Sequence, residues 1–143
     1  MPSATERGPS VPDHEELFRA ITVPDWWLAD PERPRPRSAA FSYPSFSTNI
    51  ASMILLDGAI RHLAEVLRCP NGAIVGFSCR MAKELGFDPR QELDPAHPDN
   101  LAHANVYSDG GSSERKRRAK RLAEEYCRVA KPPTFGSEAN ERH

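Results

Sequence analysis

The stretch DGAIRHLAEVLRCPNGAIVGFSCRMAKELGF, residues 57–87, decides the predicted fold because a helix pattern, a strand pattern and a second helix pattern follow one another. Residues 57–68 place apolar side chains at helical spacing and begin at Asp57, a capping residue type. Residues 72–78 are a short apolar run typical of a buried strand. Residues 79–87 predict a second helix that ends at a glycine. This alternation indicates a sheet with helices packed against it.

The remaining segments supply more strands and one more helix. Residues 38–43 and 101–108 predict strands, and residues 46–56 fit either a helix or a strand. Residues 88–100 predict a loop because of their prolines, and residues 112–129 predict an amphipathic final helix. The predicted fold is therefore a single compact α+β domain, with a mixed sheet of about four strands and about three helices.

The length and the distribution of proline set the predicted domain boundaries. A chain of 143 residues forms one domain that needs no metal or disulfide for its core. Residues 1–12 have no periodicity and are expected to be a disordered tail. The domain is expected to cover residues 13–130, and residues 131–143 are expected to form a flexible tail.

Composition narrows the class of protein. Three cysteines without a C-x-x-C spacing predict neither a disulfide framework nor a zinc knuckle. The longest apolar run, residues 53–56, is far short of a membrane span, and the polar N-terminus shows no signal peptide. We therefore expect a cytoplasmic protein of bacterial type, with no membrane association, no metal site and no cofactor.

A basic run in the final predicted helix indicates a binding surface. Six of the seven residues from 115 to 121 are basic, although the net charge of the chain is −1. A second arginine cluster lies in the proline-rich loop around residue 35, and the two clusters would form a phosphate-binding patch if they met in space. The alternative is the ordinary solvent face of an amphipathic helix. The predicted binding residues are Arg33, Arg35, Arg37, Arg117, Lys120, Arg121 and Arg128.

Without reference to any protein family, His103 is the residue that the sequence favours for a catalytic or binding role. It lies on a predicted strand with Asn105 on the same side, which fits either a hydrogen-bonded core histidine or a general acid/base that contacts a nucleotide. Ser47 is a possible partner, but no nucleophile elbow surrounds it. The segment NGAIVG, residues 71–76, lacks the residues of a phosphate-binding loop.

Two resemblances add expectations. In LFRAI, RPRSAAF, FSTN, GAIVGFS and AHANVY the chain resembles a group of small bacterial proteins without an assigned activity, over residues 17–129. Arg19 in LFRAI and Ser47 in FST also resemble the arginine and serine strands of small ADP-ribosyltransferase-like toxins. Where those toxins carry a catalytic glutamate, this chain has His103 and Asn105. That likeness implies Arg19, Ser47 and His103 as catalytic candidates.

The sequence thus leaves three functions open. The first is an interaction or accessory module that binds an acidic protein surface or nucleic acid through the basic helix and the arginine–proline loop. The second is a small nucleotide- or NAD-handling enzyme of the ADP-ribosyltransferase-like kind. The third is a dedicated nucleic-acid-binding protein.

Overall fold

An antiparallel sheet of six strands organises the chain, in a computed structural model that describes residues 6–135. The sheet strands are β1 (Glu16–Ile21), β4 (Ser45–Ile50), β5 (Ala73–Ser78), β6 (Asp88–Gln91), β7 (His103–Tyr107) and β8 (Arg128–Lys131). Their spatial order is β6-β7-β4-β1-β5-β8. The short strands β2 (Trp27–Leu28) and β3 (Arg35–Pro36) pair separately as a two-stranded ribbon.

Three α-helices cover the two faces of this sheet. They are α1 (Ala51–Arg61), α2 (Cys79–Leu85) and α3 (Ser112–Arg121). A π-helical turn extends α1 through His62–Val66, and another extends α3 through Leu122–Tyr126. The predicted α+β class and the three helices are confirmed. No helix within residues 6–135 is long and apolar enough to cross a bilayer.

Alternation along the strands gives the sheet two different faces. Leu17 and Ile21 of β1 join the main core beneath α2 and α3, and we call this side the α3 face. Phe18 projects the other way and packs against Ala59 and Leu63, so we call that side the α1 face. The predicted alternation in β7 also holds, because Ala104 and Val106 join the α3-face core while His103 lies opposite.

The two central strands separate along their length. β1 and β4 are in register only at Leu17–Ile50 and Phe18–Asn49. On its other side β1 stays paired with β5 from Glu16 through Ile21. The sheet therefore splits between β1 and β4 beyond Phe18, and this split positions the site described below.

The sheet differs from the predicted one in size and direction. It has six strands, not about four, and every pairing is antiparallel, so it is not a mixed sheet. The predicted loop at 88–100 begins with the four-residue edge strand β6. The final helical segment ends at Tyr126, and residues 128–131 form the opposite edge strand. Edge strands this short lack a local signature because their pairing partners lie elsewhere in the chain.

The structure also differs from two local predictions. Residues 38–41 form a 3-10 turn rather than a strand, and its buried Phe41 packs under α3. Helix α1 begins at residue 51, but Leu55 has a φ of 60° and interrupts it. The predicted start near Asp57 therefore corresponds to the second part of α1. The predicted stop of α2 is confirmed, since Gly86 has a φ of 106°.

The N-terminal segment is part of the folded domain. The lack of periodicity predicts disorder for residues 6–12, yet Val11 is fully buried and Ser10 forms a β-bridge with Arg90. Phe135 packs against the core, so the domain extends past residue 130. The expected tails at residues 1–5 and 136–143 lie outside the described residues.

Candidate functional site

A cleft of about 230 Å³ opens where β1 and β4 separate. Arg19 of β1 and Ser47 of β4 line one part of it, and His103 of β7 lines another. His62 from the turn after α1 and His97 from the loop before β7 complete its mouth. The three residues that the sequence put forward as catalytic candidates therefore line one cleft. Their side chains do not converge on one face, because Arg19 lies on the α3 face with Leu17 and Ile21 and His103 lies on the α1 face.

Arg19 holds its charge beside this cleft without an acidic partner. Its Nε and one Nη donate to the Ala40 carbonyl oxygen at 3.2 and 3.0 Å, and the other Nη donates to the Ser47 carbonyl oxygen at 3.2 Å. The guanidinium lies 4.9 Å from the centre of the Trp26 ring. Within residues 6–135 no carboxylate lies within 4.0 Å of it. Burial lowers the pKa of Arg19 to about 10, so the group remains cationic at neutral pH.

His103 presents an unused hydrogen-bond acceptor. Its Nδ1 lies 2.6 Å from the Glu92 carbonyl oxygen, which can only accept, so Nδ1 carries the proton. In the neutral ring Nε2 is then an acceptor, and within the described residues it has no hydrogen-bond partner. The residue is only 5% exposed. A buried acceptor without a partner is uncommon and calls for an explanation.

Glu92 fixes the carbonyl that orients His103. One carboxylate oxygen accepts from the Tyr107 hydroxyl at 2.6 Å and from Asn105 Nδ2 at 3.0 Å. The other accepts from the backbone N–H of Gly8 at 2.8 Å. Partial burial acts to raise the pKa of Glu92, but these hydrogen bonds outweigh it and the pKa is lowered. Glu92 therefore stays ionised at neutral pH.

A pair of histidines, His62 and His97, lies between the cleft and an outer groove. The rings of His62 and His97 meet edge to face with their centres 6.0 Å apart. Both residues also line a shallower groove of about 470 Å³ beside α1. The pKa of His62 is lowered, first by burial and then by His97 and His103. No group of three or more histidine, cysteine or acidic residues between residues 6 and 135 has metal-binding geometry.

Arg7 forms a separate polar cluster on the same face of the sheet. Its guanidinium is 2.8 Å from Asp88 and 2.8 Å from Asp109, and it stacks 3.9 Å from the centre of the Tyr107 ring. The side chain is only 4% exposed. Hydrogen bonding to Asp109 is the main cause that raises the pKa of Arg7. The Arg7 guanidinium is thus paired with two carboxylates, those of Asp88 and Asp109.

The basic run on α3 is partly used inside the fold. Arg118 donates to the Ser108 hydroxyl at 2.6 Å and to the Asp109 carbonyl at 2.8 Å. Arg121 pairs with Glu125 at 3.1 Å. The exposed side chains of the run without a partner among the described residues are Lys116, Arg117 and Lys120. The basic surface of α3 is therefore these three cations, and we call them the α3 cations.

The arginines of the proline-rich loop do not join the α3 cations. Arg33 donates to the Glu124 carbonyl, and Arg35 lies 3.8 Å from Asp30. Arg37 donates to the Trp27 carbonyl oxygen at 3.2 Å. The loop meets the acidic end of the α3 segment, where Glu124 and Glu125 line a shared groove. The condition for a joint patch was that the two clusters meet, and the loop instead reaches the helical segment one turn beyond its basic run.

Arg128 is also placed differently from the prediction. It lies on β8, not on the helix, and pairs with Glu16 of β1 at 2.5 Å. The helical wheel put it beside Arg117 and Arg121 because the pattern of the final helix continues through residue 129. Glu16 therefore neutralises Arg128 across the sheet.

Sequence reasoning missed Arg7 and Glu92. Arg7 fell in the segment expected to be disordered, and Glu92 fell in the predicted loop. The contacts that give both residues a role join positions more than 80 residues apart, Gly8 with Glu92 and Arg7 with Asp88. No pattern within a short window reports such contacts.

Comparison of the chain with protein-family models, with curated proteins and with solved structures yields no significant match in any of the three.

Proposed function

We propose that this protein binds a small anionic ligand in the cleft, with Arg19 as the counter-charge and His103 as a second contact. The observation that carries the proposal is the half-buried Arg19 cation without a carboxylate partner. Charges removed from water are normally paired, because an unpaired one is unfavourable. Elsewhere in the described residues ion pairs are made by Arg7, Arg35, Arg80, Arg90, Arg118, Arg121 and Arg128.

The hydrogen bonds of Arg19 leave room for such a ligand. A guanidinium has five N–H donors, and the bonds to Ala40 and Ser47 use three of them. The bond to Ser47 is on the exposed side, next to the cleft. Arginine donors of this kind match the oxygens of a carboxylate or phosphate. The ring of Trp26 on one side limits the approach of water, which strengthens the attraction.

The volume of the cleft favours a compact ligand. At about 230 Å³ it is below the roughly 300–1,000 Å³ typical of pockets for drug-sized molecules. A dinucleotide such as NAD exceeds that volume, so the size supports a single carboxylate or phosphate compound over the NAD-handling alternative. Arg19, Ser47 and His103 remain the proposed site residues.

A titration with inorganic phosphate tests the proposal. We expect amide resonances of residues around Arg19, Ser47 and His103 to shift together in two-dimensional NMR spectra. Arg19→Met should weaken phosphate binding at least tenfold because it removes the counter-charge. Arg37→Met is the matched control, since Arg37 also donates to a carbonyl but lies outside the cleft. Equal binding by wild type and Arg19→Met would rule out the proposed role.

The α3 cations support a second candidate function, docking of nucleic acid or of an acidic protein surface. Lys116, Arg117 and Lys120 are exposed on one helix, and no carboxylate of the described residues pairs with them. With three phosphate contacts, DNA affinity should fall roughly 40-fold between 50 and 200 mM salt. We expect the triple change of these residues to Glu to abolish binding of a short DNA duplex in fluorescence anisotropy. The same salt response in the triple variant would exclude this surface.

A further inference from the structure

We infer that a second copy of this chain docks on the surface around α1, so that the protein forms a twofold-symmetric dimer. This surface consists of residues 53–67 and of the loop residues 93–101, and we call it the α1 surface. The residues that carry the inference do not include Arg19, Ser47 or His103, so it does not depend on the proposed function.

Exposed apolar side chains concentrate on the α1 surface. Seven of the ten large apolar side chains that are exposed within residues 6–135 belong to it. The four most exposed, between 49% and 64%, are Met53, Leu55, Leu93 and Leu101. The side-chain amide of Gln91 lies 3.6 Å from Met53 Sδ and 3.4 Å from the Leu101 carbonyl oxygen, so the two segments adjoin. Single exposed apolar residues are ordinary, whereas a concentration of them marks an interaction site.

Leu55 has a backbone conformation that is unfavourable for leucine. Its φ of 60° and ψ of 164° lie in a region that glycine adopts readily and that is strained for a residue with a Cβ. The side chain is 63% exposed, so it gains little from packing within one copy. Strained residues of this kind concentrate at binding sites. A leucine at this position is explained if its side chain packs against a partner.

The α1 surface has both a projecting part and a receiving part. The exposed Leu55 follows Ile54, which lines the groove of about 470 Å³ beside α1. Val66 and Pro98 add further apolar lining to this groove. In a twofold interface both copies use the same patch, so Leu55 of each copy can enter the groove of the other.

The charges of the groove are also self-complementary. Arg61, Glu65 and Asp99 line it, and none of them has an ion pair within residues 6–135. Arg61 and Glu65 are four residues apart on the groove side, so a twofold axis between them places Arg61 of each copy opposite Glu65 of the other. An anionic membrane or nucleic acid would meet two carboxylates for one arginine, so the charges favour a second copy.

Sedimentation equilibrium of the full chain at several concentrations tests the inference. We expect wild type to be in a monomer–dimer equilibrium, and Leu55→Gly to raise the dissociation constant roughly tenfold because an apolar contact is lost. Glycine also relieves the strain at this φ, so the urea midpoint of dilute, monomeric Leu55→Gly should be no lower than that of wild type. A leucine with only a structural role would give the opposite result, a lower midpoint with unchanged association.

A charge exchange tests the twofold geometry. Arg61→Glu and Glu65→Arg should each weaken self-association roughly tenfold, because like charges then face each other across the axis. A mixture of the two variants should associate more tightly than either variant alone, since opposite charges face each other again. The control is Arg80→Glu, which changes an exposed arginine on α2 at the opposite face of the sheet and should associate like wild type.

The outcomes separate the inference from the proposed function. A wild type that remains monomeric at every concentration would overturn the inference, and phosphate binding by that monomer would still support the anion site. A dimer that Leu55→Gly and Arg61→Glu both leave unchanged would also overturn it, because the interface would then lie elsewhere. Amide NMR shifts that depend on protein concentration should fall within residues 53–67 and 93–101, and shifts confined to α3 would contradict the proposed surface.

Discussion

Arg7 and Arg19 both withdraw a guanidinium from solvent and place it over an aromatic ring, but their partners differ. Arg7 lies 2.8 Å from each of two carboxylates, whereas Arg19 is bound only by the carbonyl oxygens of Ala40 and Ser47. Hydrogen bonding to Asp109 raises the pKa of Arg7, and burial lowers that of Arg19. The fold pairs the first charge with carboxylates, whereas the second would be paired only by the proposed ligand.

The difference originates in the sheet. Asp88 on β6 and Asp109 after β7 reach Arg7 because the N-terminal segment runs along that edge of the sheet. Around Arg19 the strands separate, and the guanidinium meets backbone carbonyls there; Asp94 also lines the cleft but forms no ion pair with Arg19. Unfavourable electrostatics concentrate at functional sites because binding, not folding, makes use of them. The comparison therefore contrasts an arginine paired within the fold with the arginine that we propose binds a ligand.

The largest effect expected from this comparison is the loss of stability in Arg7→Met. The change leaves Asp88 and Asp109 without their cation and removes the contact with Tyr107. Breaking a fully buried pair costs about 3–5 kcal/mol, and Asp109 is 63% exposed, so we expect a decrease of about 2 kcal/mol in the free energy of unfolding. Urea denaturation measures it.

The matched control is Arg80→Met. Its ion pair with Glu84 is largely exposed, and such pairs contribute below about 0.5 kcal/mol. If the two variants lost the same free energy, the Arg7 cluster would not be the stabilising arginine site.

A fall in pH should weaken the stabilisation that the carboxylates around Arg7 provide. The pKa of Asp109 is lowered chiefly by its hydrogen bond with Arg7, and that of Glu92 is also lowered. Both carboxylates therefore take up protons less readily when folded, so their stabilisation is present above their unfolded pKa values of about 3.9 and 4.3 and is lost as the pH falls through the folded ones. We expect the free energy of unfolding to fall between pH 5 and pH 3.

The variant Arg7→Met tests whether Arg7 is the cause of this acid sensitivity. Without the guanidinium the pKa of Asp109 returns toward its ordinary value, so the variant should lose less stability with acid than wild type does. Asp13 and Asp30 also have lowered pKa values, and they act equally in both proteins. Parallel pH curves for wild type and Arg7→Met would show that Asp109 does not gain its stabilisation from Arg7.

The parts of the fold that depend on a local sequence pattern could be predicted from the sequence. The apolar run of β5, the glycine stop of α2 and the alternation of β7 were all predicted, because each is specified within about ten residues. The edge strands β6 and β8 were not predicted, since four residues acquire strand geometry only by pairing with β7 and β5.

The site was predicted less completely. A resemblance proposed Arg19, Ser47 and His103, and the split sheet brings them to one cleft. Their partners could not be predicted, because the Glu92 carbonyl reaches His103 only through the fold of the intervening loop. The contacts of the loop arginines could not be predicted for a related reason: Arg33 and Arg37 donate to backbone carbonyls that a helical wheel does not show.

The smallest effect on stability is expected at Arg19, the second arginine of the comparison. Arg19→Met removes the donors of the Ala40 and Ser47 carbonyls, which destabilises the protein, but it also removes a desolvated charge, which stabilises it. Carbonyl oxygens tolerate a missing donor better than N–H groups tolerate a missing acceptor. We therefore expect the free energy of unfolding to change by less than about 1 kcal/mol in ligand-free buffer.

Without ligand, wild type and Arg19→Met are expected to have similar free energies of unfolding. Adding a ligand should then distinguish them. Inorganic phosphate that binds the native state should raise the melting temperature of wild type by mass action, and Arg19→Met should gain little. Arg19→Lys keeps the charge with fewer donors and should fall between them. A ligand-free loss as large as that of Arg7→Met would instead make Arg19 a structural residue, and the distinction between the two arginines would disappear.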